Sequence, residues 1–196
     1  MSASPHVDPL QALGLAPSVV PPLAAYLDTL EAWARRVNLT GARTSGERVE
    51  RLVAPVVAMA TVPESGTLID VGSGNGSPGL VLALLRSDLE VTLLEPRLRR
   101  WAFLREAARN ARRPGVHVVR SRHDTYRGAP ARTVTMRGLA LSLPDLAPLL
   151  RPGGQIVVLG RSPAPAEPFE AGPQAPGGRK DVHVFRAPGS GVSRET

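Results

Sequence analysis

The stretch Leu68–Leu80, LIDVGSGNGSPGL, constrains this chain more than any other. An apolar run ends in an acid, glycines follow at alternate positions, and apolar residues then resume. That pattern predicts a strand, a tight glycine loop and the start of a helix. In such units a ligand lies beyond the carboxyl ends of the strands, over the helix start. Glycine suits the loop because it adopts unusual dihedrals and lets backbone approach a ligand closely.

The rest of the chain repeats the unit. Strands are predicted at 67–71, 90–95, 115–120, 132–137 and 154–160, with helices over 78–86, 96–112 and 142–150. This alternation implies an α/β fold with a mostly parallel, doubly wound sheet and helices on both faces. Before it, Leu23, Tyr26, Leu27, Leu30, Trp33 and Val37 recur at helical spacing, and Thr44 and Glu47 have capping-box spacing. Residues 18–62 therefore read as a helical extension, with Pro55 bending or shortening its second helix. Residues 1–17 read as loose, and 63–187 as the core. Within that core, 161–180 is a Pro/Gly-rich loop preceding a last strand at 181–187. Residues 188–196 read as a flexible tail.

Composition narrows the chemistry. The chain has no cysteine, which excludes disulfides, thiolate metal sites and a cysteine nucleophile. His6, His117, His123 and His183 show no metal-ligand spacing, so no metal is expected. There is no signal-peptide pattern and no span of membrane length, so a cytoplasmic location is expected. The net charge is +7. A basic chain can bind nucleic acid, but nearly all its basic residues are arginine, and a GC-rich genome produces the same bias.

Three nucleotide loops compete for the glycine stretch. A P-loop needs Gly-Lys-Ser/Thr at its end, and NGSPG has no lysine, so that reading fails. A dinucleotide loop fits Gly74, Gly76 and Gly79. An acid-led loop fits Asp70, Gly72, Gly74 and Gly76, and resembles the first motif of S-adenosylmethionine-dependent methyltransferases. Asp70 beside a pyrophosphate would be repelled, whereas it suits a sulfonium and an amino group. Glu95 closes the second strand, where either nucleotide fold keeps a ribose-binding acid. Alternatively, Glu95 merely starts the following helix.

The flanking segments carry a more specific resemblance. AWARRVNLTGA (32–42), IDVGSGNGSPGLVLALL, VTLLEPRLRRWAFLRE (91–106), VVRSRHDTY (118–126) and TMRGLALSLPDLAPLLRPGG (135–154) occur in the order found in the ribosomal RNA small-subunit methyltransferase G family. The resemblance implies a Rossmann-like class I methyltransferase, probing small-subunit rRNA or the small ribosomal subunit as its partner. It implies methyl transfer from S-adenosylmethionine to N7 of a guanine, by a chain expected to be monomeric. It also implies site residues: Asp70, Gly72, Ser73, Gly74 and Gly76 at the methionine end, Glu95 at the ribose, and Arg122 and His123 beside the adenine. Arg137 is the implied catalytic and cofactor-side arginine. Arg97, Arg100 and Arg161 are candidate RNA contacts.

Three segments depart from the family pattern. The second helix carries LVAPVV (52–57) in place of a polar stretch, VLGR (158–161) lacks the usual lysine, and the final hairpin is shortened. The alternatives these departures leave are a methyltransferase acting on another substrate and a catalytically silent RNA- or ribosome-binding relative.

Overall fold

Period-two burial organises the sheet. In the computed structural model, which describes residues 3–189, strand β1 (Gly66–Val71) sends Leu68 into one apolar cluster and Ile69 and Val71 into another. The same alternation divides β2 (Leu89–Leu94) and β5 (Leu150–Leu159), while β4 (Ala131–Arg137) sends Val134 and Met136 into the second cluster and buries Thr133 and Thr135 on its other face. With β3 (Val116–Val119), β6 (Glu170–Ala171) and β7 (Val182–Arg186), the sheet has the order β3-β2-β1-β4-β5-β7-β6. The first five strands run parallel, β7 pairs antiparallel with β5, and β6 pairs antiparallel with β7. The order reverses between β1 and β4, which opens a crevice at their carboxyl ends.

The two faces are covered unequally. Helices α1 (Val7–Gln11), α2 (Val20–Ala34), α3 (Ser45–Arg48), α4 (Ala54–Val57), α5 (Gly79–Leu85) and α6 (Leu98–Asn110) precede α7 (Leu143–Leu146). The cluster containing Leu68 takes in side chains from α1, α2, α5 and α6. The opposite cluster receives helical side chains from α7, namely Leu143 and Leu146. Helices were expected on both faces; here the second face has one helical turn. A single turn suffices because Phe185, Leu149 and Leu150 fill the remaining space.

The amino-terminal region is part of this core. Residues 1–17 were expected to be loose, yet α1 buries Leu10 completely. His6 is also fully buried, with Nδ1 2.8 Å from Asp28 Oδ1 on α2. These contacts order a segment that its prolines alone would leave open. The expected second helix is interrupted: α3 passes into a π-helical turn (Val49–Val53) before α4. Thr44 caps α3 by accepting from Glu47 N, but the Glu47 carboxylate accepts from Arg43 N instead of completing the box on Thr44.

Residues 161–180, expected to lack regular structure, hold β6 and a short 3-10 turn (Pro176–Gly178). Glu170 and Ala171 pair with Arg186 and Phe185, so the shortened terminal hairpin exists with one two-residue arm. Most of the expected tail, 190–196, lies outside the described residues. No helix among the described residues is long and apolar enough to cross a membrane.

Candidate functional site

The glycine loop sits at the crevice and is held from several directions. Ser73 N donates to Leu94 O at 3.0 Å, and Ser73 Oγ to Asp70 O at 2.9 Å. Gly74 N donates to Glu95 Oε2 at 3.0 Å. Tyr26 Oη donates to Asn75 O at 2.8 Å, and Asn75 Nδ2 to Leu39 O at 3.1 Å. Ser77 Oγ donates to Leu52 O at 2.8 Å. The helical extension therefore clamps the loop through Tyr26, Leu39 and Leu52.

Pro55 explains one anchor. Lacking an N–H, it cannot donate to the carbonyl four residues back, at Arg51. That carbonyl accepts from Arg137 Nη2 at 3.0 Å, while Arg137 Nη1 donates to Ser77 Oγ at 2.9 Å. Burial pushes the Tyr26 phenol up from its ordinary range, against the opposing pull of nearby Arg137. Tyr26 was read from the sequence only as part of an apolar helix face. The detectable signal for this clamp was Pro55 inside a helical pattern, which leaves a carbonyl free.

A cavity of about 260 Å³ opens beside the loop. Glu95 lines it from just beyond β2, and Gly72 from just beyond β1. Arg122 and His123, after β3, line it as well. Arg97 and Arg100, expected as RNA contacts, belong to the same wall. Arg100 Nη2 also donates to Asn38 O at 3.0 Å, tying α6 to the extension. Leu139 crosses the opposite side. The φ of +66° at Gly72 favours a bare backbone, and a Cβ there would lie 2.6 Å from Cδ1 of the exposed Leu139.

Glu95 is only 3% exposed. Its Oε1 accepts from Arg97 N at 2.8 Å and Oε2 from Gly74 N. A carboxylate has about four acceptor sites. Two backbone bonds thus fix Glu95 at the cavity and leave acceptor capacity for hydroxyl groups. It serves both readings made from the sequence, since it also organises the chain entering α6.

Five residues expected at the cofactor, Asp70, Ser73, Gly74, Gly76 and Arg137, do not line this cavity. Asp70 does not line the cavity. Because side chains alternate along β1, it shares the face of Leu68 and lies beneath the loop, where Oδ1 accepts from Thr135 Oγ1 at 2.7 Å. A Cβ on Gly79 would come within 2.6 Å of Oδ2, so the carboxylate abuts the first residue of α5. Oδ2 has no hydrogen-bond partner among the described residues, and burial pushes the carboxyl pKa up to about 6. Gly76 also turns away: with φ at +92°, a Cβ there would meet Tyr26 Cε2 at 3.1 Å.

Ser73 and Arg137 line a second cleft of about 310 Å³ on the other side of the loop, together with Thr40, Arg51 and Asn75. Gly72 and Arg100 border both openings, as does neither Asp70 nor Gly76; Gly74 borders the second. Arg161 is separate again. It lines a chamber of about 540 Å³ that meets the first cavity across Leu139, Ala140 and Leu141. The described residues contain no group of three or more His, Cys, Asp or Glu side chains able to hold a metal.

Comparison with known proteins agrees with this architecture. The Escherichia coli protein described as putative methyltransferase yhhF superposes with a TM-score of 0.54 and 19% identity, covering 77% of this chain and 90% of that one. That likeness concerns the fold. At the level of sequence, the ribosomal RNA small subunit methyltransferase G of Xanthomonas campestris pv. campestris (strain B100) is 36% identical, covering 92% of this chain and 86% of the relative. The protein of the same name from Thermobifida fusca (strain YX) is 46% identical over 56% of this chain and 48% of its own length. Residues 20–169 match the family described as rRNA small subunit methyltransferase G. With the glycine loop, the strand-end acid and the helical clamp in place, the chain belongs to that family.

Proposed function

We propose that the protein transfers the methyl group of S-adenosylmethionine to N7 of a guanine in small-subunit ribosomal RNA. The single observation that carries the cofactor part is Glu95, buried and fixed at the strand-end cavity with acceptor capacity to spare for ribose hydroxyls. A second observation disfavours a pyrophosphate. The Asp70 carboxylate already lies against the start of α5, where a dinucleotide loop would put its phosphates. Arg122 and His123 border the far side of the cavity and suit the purine end.

Bound S-adenosylmethionine supplies an electrophilic methyl on a positively charged sulfur. The nucleophile, guanine N7, has an in-plane lone pair and no proton, so this chain needs no general base. Its work is to hold the reactants in line, exclude water and surround the charge shift with fixed dipoles. Leu139 and Leu141 give the cavity an apolar border. The glycine loop supplies a backbone surface fixed by its neighbours. Arg137 acts as a positioning residue in this reading, because its guanidinium is engaged with Ser77 and the Arg51 carbonyl. Arg161 borders the chamber through which a target base would approach.

The names of the relatives support the rRNA target, and a ribosomal substrate supports a cytoplasmic location. We take the active species to be a monomer, which sedimentation would check. The test of function combines two measurements. Calorimetry should detect S-adenosylmethionine binding to the wild type and strong weakening in Glu95→Ala. Mass mapping should then find new N7-methylguanosine in small subunits taken from a strain lacking the enzyme. No binding, binding of NADH instead, or transfer to a small molecule but never to rRNA would overturn the reading.

A further inference from the structure

The arginines of α6 do not form one population. Arg100 borders the cofactor cavity and bonds Asn38 O. Arg113, just after the helix, is structural: its guanidinium donates to the carbonyls of Ala83, Arg86, Ser87 and Leu89. Arg97, Arg105, Arg109 and Arg112 are different. All four are exposed, and none forms an ion pair or side-chain hydrogen bond with the described residues. Arg97, Trp101, Arg105 and Arg109 follow at four-residue steps, so they make one ridge on the helix surface; Arg112 lies past the end of α6, with a φ of +51°.

We infer that this ridge binds the sugar–phosphate backbone of RNA flanking the target base, an inference that rests on the function proposed above. Three features support it. The ridge begins at the cofactor cavity, where Arg97 is a wall residue, and at 1.5 Å per residue it runs about 18 Å to Arg109. It ends at a cleft of about 270 Å³ between α6 and the edge strand β3, bordered by Arg105 and Arg109 over Val116 and Val118. The face also includes Leu98, 55% exposed, and Trp101, whose Nε1 donates to Val118 O while Arg105 stands 4.9 Å over its ring.

Free guanidinium groups interspersed with flat or apolar side chains suit a nucleic-acid strand, because arginine binds phosphate and stacks on unpaired bases. The one acid of the helix, Glu106, stands about 100° from Arg105 and about 60° from Arg109, and pairs with neither. An anionic membrane suits the ridge less well. The apolar face of α6, with Phe103, Leu104 and Ala107, is already buried in the core and unavailable for insertion.

The test is binding of small-subunit rRNA by the full chain across a salt series. Each lost contact to a single strand reduces the log–log salt slope by about 0.7. Arg105→Gln/Arg109→Gln should therefore bind about 25-fold more weakly at 0.1 M salt, with the difference closing toward 1 M. Arg105→Lys/Arg109→Lys should restore most of the slope. Arg151→Gln/Lys180→Gln removes the same charge away from α6 and should change affinity little. Calorimetric affinity for S-adenosylmethionine should be equal in all variants, which also reports that they fold.

An unchanged slope in the ridge variant, or an equal loss in the charge-matched control, would overturn the ridge. So would loss of binding to phosphatidylserine vesicles with RNA binding intact, or no RNA binding by the wild type. A wild type that binds RNA through the ridge but transfers no methyl would leave the ridge standing and remove the proposed reaction. Methyl transfer with no dependence on the ridge would do the reverse.

Discussion

Two segments of this chain are rich in glycine and proline, and they fold under opposite conditions. The loop from Gly72 to Pro78 is nearly all buried, and its side chains and backbone are bound by Tyr26, Leu39, Leu52, Leu94, Glu95 and Arg137. Residues 161–180 lie mostly at the surface, with Ala175 the fully buried member. Composition is similar, but the surroundings differ. Glycine gives a backbone freedom; whether that freedom becomes a fixed binding surface depends on the partners that remove it.

The sharpest way to break this contrast is a methyl group. Gly79→Ala would force a Cβ to within 2.4–2.6 Å of buried Asp70 atoms, which cannot swing into solvent. We expect a loss of about 3 kcal/mol or more in urea unfolding, and loss of S-adenosylmethionine binding. Gly177→Ala meets open space and carries only the strain of its φ of +70°, so it should cost about 1 kcal/mol and leave binding intact. Equal losses at the two positions would end the distinction.

Asp70 supplies a pH test of the same buried loop. Its folded-state pKa, pushed up to about 6, exceeds the ordinary aspartate value. The native state therefore holds the proton more tightly than the unfolded chain. The resulting stabilisation is complete below about pH 4 and disappears as pH rises through 6, a change on the order of 3 kcal/mol. Asp70→Asn should remove this component, and the melting temperatures of wild type and variant should diverge across that window. Parallel curves would mean that Asp70 titrates normally.

A smaller effect is expected at the clamp. Tyr26→Phe keeps the packed ring but leaves the Asn75 carbonyl without its donor. A loss of about 1 kcal/mol is expected, with weaker cofactor binding measured by calorimetry. Unaltered binding would show that the extension covers the loop without positioning it. Smallest of all, Arg179→Ala removes a partly exposed pair with Asp181 in the second segment. It should shift unfolding by no more than about 0.5 kcal/mol, and a larger shift would mean that this segment is held more firmly than its exposure implies.

Much of the scaffold was legible because local patterns and tertiary packing agree. Short apolar runs set between helical stretches located β1, β2, β4 and β5, since parallel strands covered on both faces read as continuous apolar segments. The family resemblance implied Arg122 and His123 beside the ligand, and both line the cavity just after β3. Other roles were illegible. The sequence placed Asp70 beside the ligand by motif position, but strand alternation turned it under the loop. Arg100 looked like a surface RNA contact until folding brought Asn38, 62 positions earlier, within reach. Residues 1–17 looked loose because their anchor is the distant Asp28 on α2.

The amino-acid sequence by itself determined the order of strands and helices, the glycine turn, the acid closing β2 and the family to which these belong. Those features depend on side-chain period, backbone freedom and short spacing, all written within a few residues. Only the tertiary structure decided which arginines remain free, which glycines face a cavity, and how the extension grips the loop. These depend on groups tens of residues apart competing for the same carbonyls and the same space, and that competition is settled when the chain packs.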